Sequence, residues 1–205
     1  MTDRFGLEPL PGVRTRVPIG TIVMLSSWAV CTTLYHLGAT GLFHAVRRDP
    51  HALASGQFWR VISPVLVQPD PWVDVIGLAV LAVVVGVAAE QLFGTARWTV
   101  LFLAGALAGH VIGEWWQPFS GGVSVGFCGP LGALAVYALA RLRGQRLVGP
   151  VIVLVAAVVL TVMTDIHGPA ILAGAIVGAV VVRGTDRQAV ATPATGNKAP
   201  SHPEG

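Results

Sequence analysis

Six long apolar stretches alternate with polar ones along this 205-residue chain, at residues 18–43, 72–93, 98–116, 123–140, 147–163 and 169–182. A helix needs about 20 apolar residues to cross a bilayer, so the pattern predicts an all-α membrane protein built from six transmembrane helices. The sixth stretch is short, about 21 Å at 1.5 Å per residue. It carries Gly174 and Gly178 four residues apart, and the third carries Gly105, Gly109 and Gly113 at the same spacing. Small residues at that interval form a ridge along which backbones can meet, which suits a short helix in the middle of the bundle. Polar residues 1–16, with Pro9, Pro11 and Gly12, and the Thr/Pro/Ala/Gly-rich residues 184–205 read as disordered tails flanking a membrane domain at 17–183.

Between the first two stretches lies a long polar segment, residues 44–71. Its length and its Phe58-Trp59-Arg60 cluster leave two readings open, a plain tether with one interfacial tryptophan or an element lying in the membrane interface. The aromatics would anchor it, and Arg60 would reach headgroups or a buried carboxylate. Glu90, near the end of the second stretch, must be paired or interfacial, because a carboxylate in the bilayer is costly.

Composition agrees with the pattern. Only 11% of the residues are charged and 54% are hydrophobic, against about 25% charged in soluble domains. Although the pI is 9.4, the net charge is +3 and the cations lie between apolar stretches, which argues against a nucleic-acid partner and for the lipid bilayer. If both tails are cytoplasmic, the inner segments hold ten of the thirteen Arg and Lys residues and the outer ones only Arg47, Arg48 and Arg60. That bias predicts a multi-pass inner (plasma) membrane protein with both termini in the cytoplasm. Arginine outnumbers lysine twelve to one, a usage that points to a GC-rich bacterial source. The two cysteines, Cys31 and Cys128, each sit in an apolar stretch and form neither a disulfide framework nor a metal-binding pair. No metal or cofactor is expected.

The densest chemistry lies in residues 120–132, where a glycine-rich run opens the fourth apolar stretch. Its centre, Gly126-Phe127-Cys128-Gly129, places a small reactive side chain between glycines at a helix start. It resembles the Gly-X-Ser-Gly motif of rhomboid intramembrane serine proteases, with cysteine where the nucleophile would be. Further motifs extend the resemblance over residues 57–182. Trp59-Arg60 is similar to the Trp-Arg signature of the rhomboid first loop. Glu90 followed by Gly94 is similar to the end of the second rhomboid helix. Gly126, Gly129 and Gly132 are similar to the glycines flanking the nucleophile. Ala170 to Gly174, followed by Gly178, is similar to the sixth-helix Ala-His-X-X-Gly…Gly motif. The resemblance implies a six-helix rhomboid-like bundle.

In that register the catalytic positions are degenerate. Ile171 falls where the resemblance implies the histidine base, and Asp74 and Leu78 fall where it implies the two oxyanion donors. An inactive pseudoprotease that binds other transmembrane helices is therefore expected. The alternative is an intramembrane protease using Cys128 as a thiol nucleophile, with His167 as base and His110 a weaker candidate. A purely structural bundle or small transporter is a third reading. Glu90, Glu114, Asp74 and Asp165 all lie near span ends and form no intramembrane ion site.

Overall fold

A computed structural model describes residues 7–11, 13 and 17–191 of the chain. The described residues form eight α-helices and no strands: α1 (Ile19–His36), α2 (Thr40–Val46), α3 (Pro50–Ala54), α4 (Trp72–Phe93), α5 (Thr95–Trp116), α6 (Ser124–Arg141), α7 (Val148–Val162) and α8 (His167–Ala191). Six helical segments, all but α2 and α3, are long and apolar enough to cross a membrane.

Glycine decides which helix is central. Helix α6 packs against α4, α5, α7 and α8, and its glycines let three backbones touch. A Cβ at Gly129 would lie 2.0 Å from the Leu101 carbonyl oxygen of α5, one at Gly174 of α8 2.0 Å from the Gly129 carbonyl oxygen, and one at Gly132 2.0 Å from the Ile171 carbonyl oxygen. No side chain fits at these crossings. Of the ridge glycines on α5, Gly105 meets the α6 backbone and Gly109 meets Val125, whereas Gly113 makes room for the Arg48 side chain. By contrast, α7 is rich in valine and buries only Ala157, so its surface is left for lipid.

Glu90 is fully buried and ties three helices together. Its carboxylate accepts the backbone N–H groups of Gly20 and Thr21 and the hydroxyls of Thr21 and Thr95, all at 2.7–2.8 Å. An acidic group at the first turn of α1 also suits the helix dipole.

Three regions differ from the sequence expectation. Residues 44–71 are not a plain loop: α2, α3 and two 3₁₀ turns (Phe58–Val61 and Ser63–Leu66) fold it against the bundle. Arg60 reaches neither headgroups nor a carboxylate. It is buried, and its guanidinium donates to the carbonyls of His44 (3.0 Å) and Arg47 (2.7 Å) and to Gln57 Oε1 (2.8 Å). Trp59 and Phe58 remain exposed. Near the N-terminus, Leu10 is buried in the core and its N–H donates to the Leu92 carbonyl at 2.9 Å, while the Tyr137 hydroxyl donates to the Glu8 carbonyl. This part of the expected tail is thus docked. Helix α8 runs on to Ala191, past the expected domain end at 183, because no proline or glycine pair stops it. The rest of the expected tails, residues 1–6, 12, 14–16 and 192–205, lies outside the described residues.

Candidate active site

The turn before α6 is held residue by residue. The Ser120 carbonyl accepts the Arg48 N–H at 2.9 Å, and the Gly122 N–H donates to the Pro64 carbonyl at 2.8 Å. Gln68 Oε1 accepts the Val123 N–H at 3.2 Å. A Cβ on Gly122 would sit 2.6 Å from that same Gln68 oxygen, so the contact requires glycine. Helix α6 then begins at Ser124, whose half-buried side chain stands in the first turn.

The turn between α7 and α8 is equally tight. The Thr164 N–H donates to Thr161 O (3.1 Å) and the Asp165 N–H to Leu160 O (2.9 Å). A Cβ on Gly168 would fall 2.4 Å from the Thr161 backbone nitrogen. Helix α8 starts at His167 rather than at Pro169, so the imidazole is fixed in a helical first turn, not carried on a loose one.

These two turns bring three side chains into line. His167 Nε2 lies 2.8 Å from Ser124 Oγ, and His167 Nδ1 lies 2.6 Å from Asp165 Oδ1. The same Asp165 oxygen accepts the His167 N–H at 2.8 Å. Burial pushes the Asp165 carboxyl up, but the hydrogen bonds from the His167 backbone and ring outweigh it and hold the group below the usual carboxylate range. An ionised carboxylate only accepts. Nδ1 therefore carries the ring proton, and Nε2 presents its lone pair to the Ser124 hydroxyl. A hydroxyl whose proton points at a free imidazole lone pair is the arrangement of an activated nucleophile. His167 and Asp165 are 36% and 34% exposed, which leaves the pair open to water.

The residues singled out from sequence fall as follows. Both ring nitrogens of His167 are occupied, by Ser124 and Asp165, so the ring has none left for Cys128. Cys128 is buried one turn further along α6, among Val125, Ala157, Ile166, Ala170 and Ile171. Ile171 is buried, and its carbonyl faces Gly132. Asp74 is exposed in the first turn of α4, and Leu78 packs partly buried against the core. Trp59 and Arg60 belong to the folded segment before α4, and Gly126 is closed off by the Phe102 ring. Gly178 packs on Ala133.

His110 is fully buried. Its Nδ1 accepts from Arg48 Nη1 at 2.8 Å. Arg48 is almost completely buried too, with Nε donating to the Gln117 carbonyl at 2.9 Å. Burial draws its guanidinium down to about 10, with Glu114 opposing, so it stays charged at neutral pH.

The Ser124–His167 pair stands one helical turn before the two positions that the motif register singles out, Cys128 and Ile171. Gly122-Val123-Ser124 also has the Gly-X-Ser form, with Val125 in place of the second glycine. His167 stands seven residues before Gly174 and eleven before Gly178. A signal was present: the two shifts are the same four residues, from Ser124 to Cys128 and from His167 to Ile171.

The fold and this pair define a six-helix membrane protein with a serine–histidine site. Residues 55–185 match the Rhomboid domain family model, and the chain belongs to the rhomboid family. It is also 30% identical, over 101 residues, to Rhomboid protease GluP of Bacillus subtilis (strain 168), an alignment covering 46% of this chain and 18% of that protein's length.

Proposed function

We propose that this protein is a membrane-embedded serine peptidase that cuts within or beside transmembrane segments, with Ser124 as nucleophile and His167 as general base. The observation that carries the reading is the 2.8 Å contact between Ser124 Oγ and His167 Nε2. The similarity to a protein described as a rhomboid protease supports it. In the first step Ser124 Oγ adds to the scissile carbonyl carbon and its proton passes to His167 Nε2. The carbonyl electron pair moves to oxygen, giving a tetrahedral oxyanion. Asp74 and Leu78 offer no donor, so stabilisation falls to the first turn of α6. There the Ser124 and Val125 N–H groups have no acceptor within the helix, and the dipole favours negative charge. Collapse breaks the C–N bond, and His167 returns its proton to the leaving amine. Water, with its proton taken by the same Nε2, then cleaves the acyl–serine ester.

Losing side-chain oxyanion donors lowers rate by about 10²–10³-fold each, so turnover is expected to be slow. With both tails cytoplasmic, as the ten-to-three Arg and Lys bias implies, Ser124 lies toward the outer face. A second reading, a bundle that binds transmembrane clients without cutting them, rests on Asp74 and Leu78. Labelling in detergent with a fluorophosphonate probe, followed by peptide mapping, separates the two. Label on Ser124 that is lost in Ser124→Ala and His167→Ala but kept in Cys128→Ala is expected. No label in the wild type, or label that survives Ser124→Ala, would overturn the peptidase reading.

A further inference from the structure

We infer that Asp165 is a positioning residue of this site, so that it works as a Ser124–His167–Asp165 triad and not as a two-residue dyad. The inference rests on the peptidase reading and adds a third member to it. Two observations carry it: the 2.6 Å contact from His167 Nδ1 to Asp165 Oδ1, and the second contact at 2.8 Å by which the His167 N–H donates to the same oxygen. Asp165 Oδ1 accepts from both the ring and the His167 N–H, which fixes the imidazole plane to its own helix start. The carboxylate selects the tautomer with the proton on Nδ1, the one form of the neutral ring that can take the Ser124 proton. When Nε2 is protonated in the first step, the ring becomes a cation, and the Asp165 charge stabilises it. The carboxylate itself takes no proton.

A plainer role competes with this one. Asp165 also caps the first turn of α8, and a cap alone would explain the backbone contact. Asp165→Asn separates the two roles, because asparagine caps helices about as well as aspartate but carries no charge. An asparagine N–H facing Nδ1 would also favour the wrong tautomer. In the full-length protein in detergent, the variant should lose no more than a few degrees of thermal midpoint. Its fluorophosphonate labelling of Ser124 should slow by about 10²–10⁴-fold, the upper figure being that for the same change in a serine protease triad. Proton NMR of the resting wild type should show a strongly downfield Nδ1 proton that the variant lacks, a signal that does not depend on turnover. Asp165→Ser, a second neutral cap, guards against a folding defect peculiar to asparagine and should slow labelling as much.

Labelling at the wild-type rate in either folded variant would overturn the assignment and leave the peptidase standing. An unlabelled Ser124 in the wild type would remove both.

Discussion

Replacing Gly174 by alanine would place a methyl carbon 2.0 Å from the Gly129 carbonyl oxygen and 2.4 Å from the Gly129 Cα. Real Cβ contacts do not go below 3.0 Å, so α8 and α6 must separate by at least 1.0 Å, the difference between 3.0 and 2.0. Both neighbours are backbone, and no side chain can turn aside to absorb the change. Overpacking of this kind costs about 1–3 kcal/mol or more, and alanine's better helix propensity returns about 1 kcal/mol. The net loss is up to about 2 kcal/mol, a fall in thermal midpoint of up to roughly 8 °C at this chain length. The effect on activity should be larger in proportion. His167 sits on the same helix two turns away, and its 2.8 Å contact with Ser124 does not survive a 1 Å displacement of α8. A misplacement of that size can cost about 10²-fold in rate. The assay pairs a thermal melt with the rate of Ser124 labelling. Gly77→Ala is the control: nothing lies within 4 Å of a Cβ there, so midpoint and rate should hold or the midpoint should rise slightly. A Gly174→Ala variant with both wild-type stability and wild-type labelling would refute the claim that backbone contact sets the Ser–His geometry.

Other outcomes follow from the same contacts. Glu90→Ala leaves two backbone N–H groups and two hydroxyls without their acceptor and should remove at least about 3 kcal/mol, read as a loss of midpoint in detergent. Arg60→Ala breaks three hydrogen bonds from a buried cation and should lower the midpoint more than Trp59→Ala, which breaks one 3.3 Å bond from an exposed ring. The Asp165 carboxyl is held below its ordinary range in the folded protein, so its ionisation stabilises the fold above the unfolded value of about 3.9. That contribution is lost as pH falls through the folded value. The small advantage in midpoint of wild type over Asp165→Asn should therefore be present at neutral pH and vanish on strong acidification.

The apolar pattern was enough to place six spans, and the small-residue ridges marked which helices meet, because both signals are local and periodic. Glu90 could be read as paired or interfacial from its place near the end of a span, although its partners on α1 could not be read. Arg48 was not legible. An arginine in an interfacial loop reads as a headgroup contact, and only tertiary folding shows that Gly113 leaves room for it beneath the turn that carries Ser124. Leu10 was hidden in the same way, as an apolar residue among prolines whose docking depends on a surface formed by α4. The site was half legible. His167 was named as a candidate base and residues 120–132 as the reactive stretch, but the candidate paired with it was Cys128, whereas the side chain that contacts the ring is Ser124.

That four-residue offset has a physical cause that can be tested. Glycines at 122, 126, 129 and 132 recur every three or four residues, so a motif moved by four keeps nearly the same helical face and its leading glycine. What the pattern does not encode is depth. Four residues along α6 are about 6 Å, and His167 Nε2 lies at hydrogen-bond distance from position 124, not from the position one turn below. A second constraint is water: position 128 is buried among apolar side chains, whereas the His167 and Asp165 side chains are a third exposed. The double variant Ser124→Ala/Cys128→Ser restores a Gly-X-Ser-Gly motif in full while moving the hydroxyl down one turn. It should fold, since cysteine and serine differ little in size, and it should neither label with a fluorophosphonate nor cleave a transmembrane substrate. The single variant Cys128→Ser should label at Ser124 as the wild type does. Labelling at position 128 in the double variant would mean that the histidine serves the deeper site, and that the sequence motif, not the first turn of α6, locates the nucleophile.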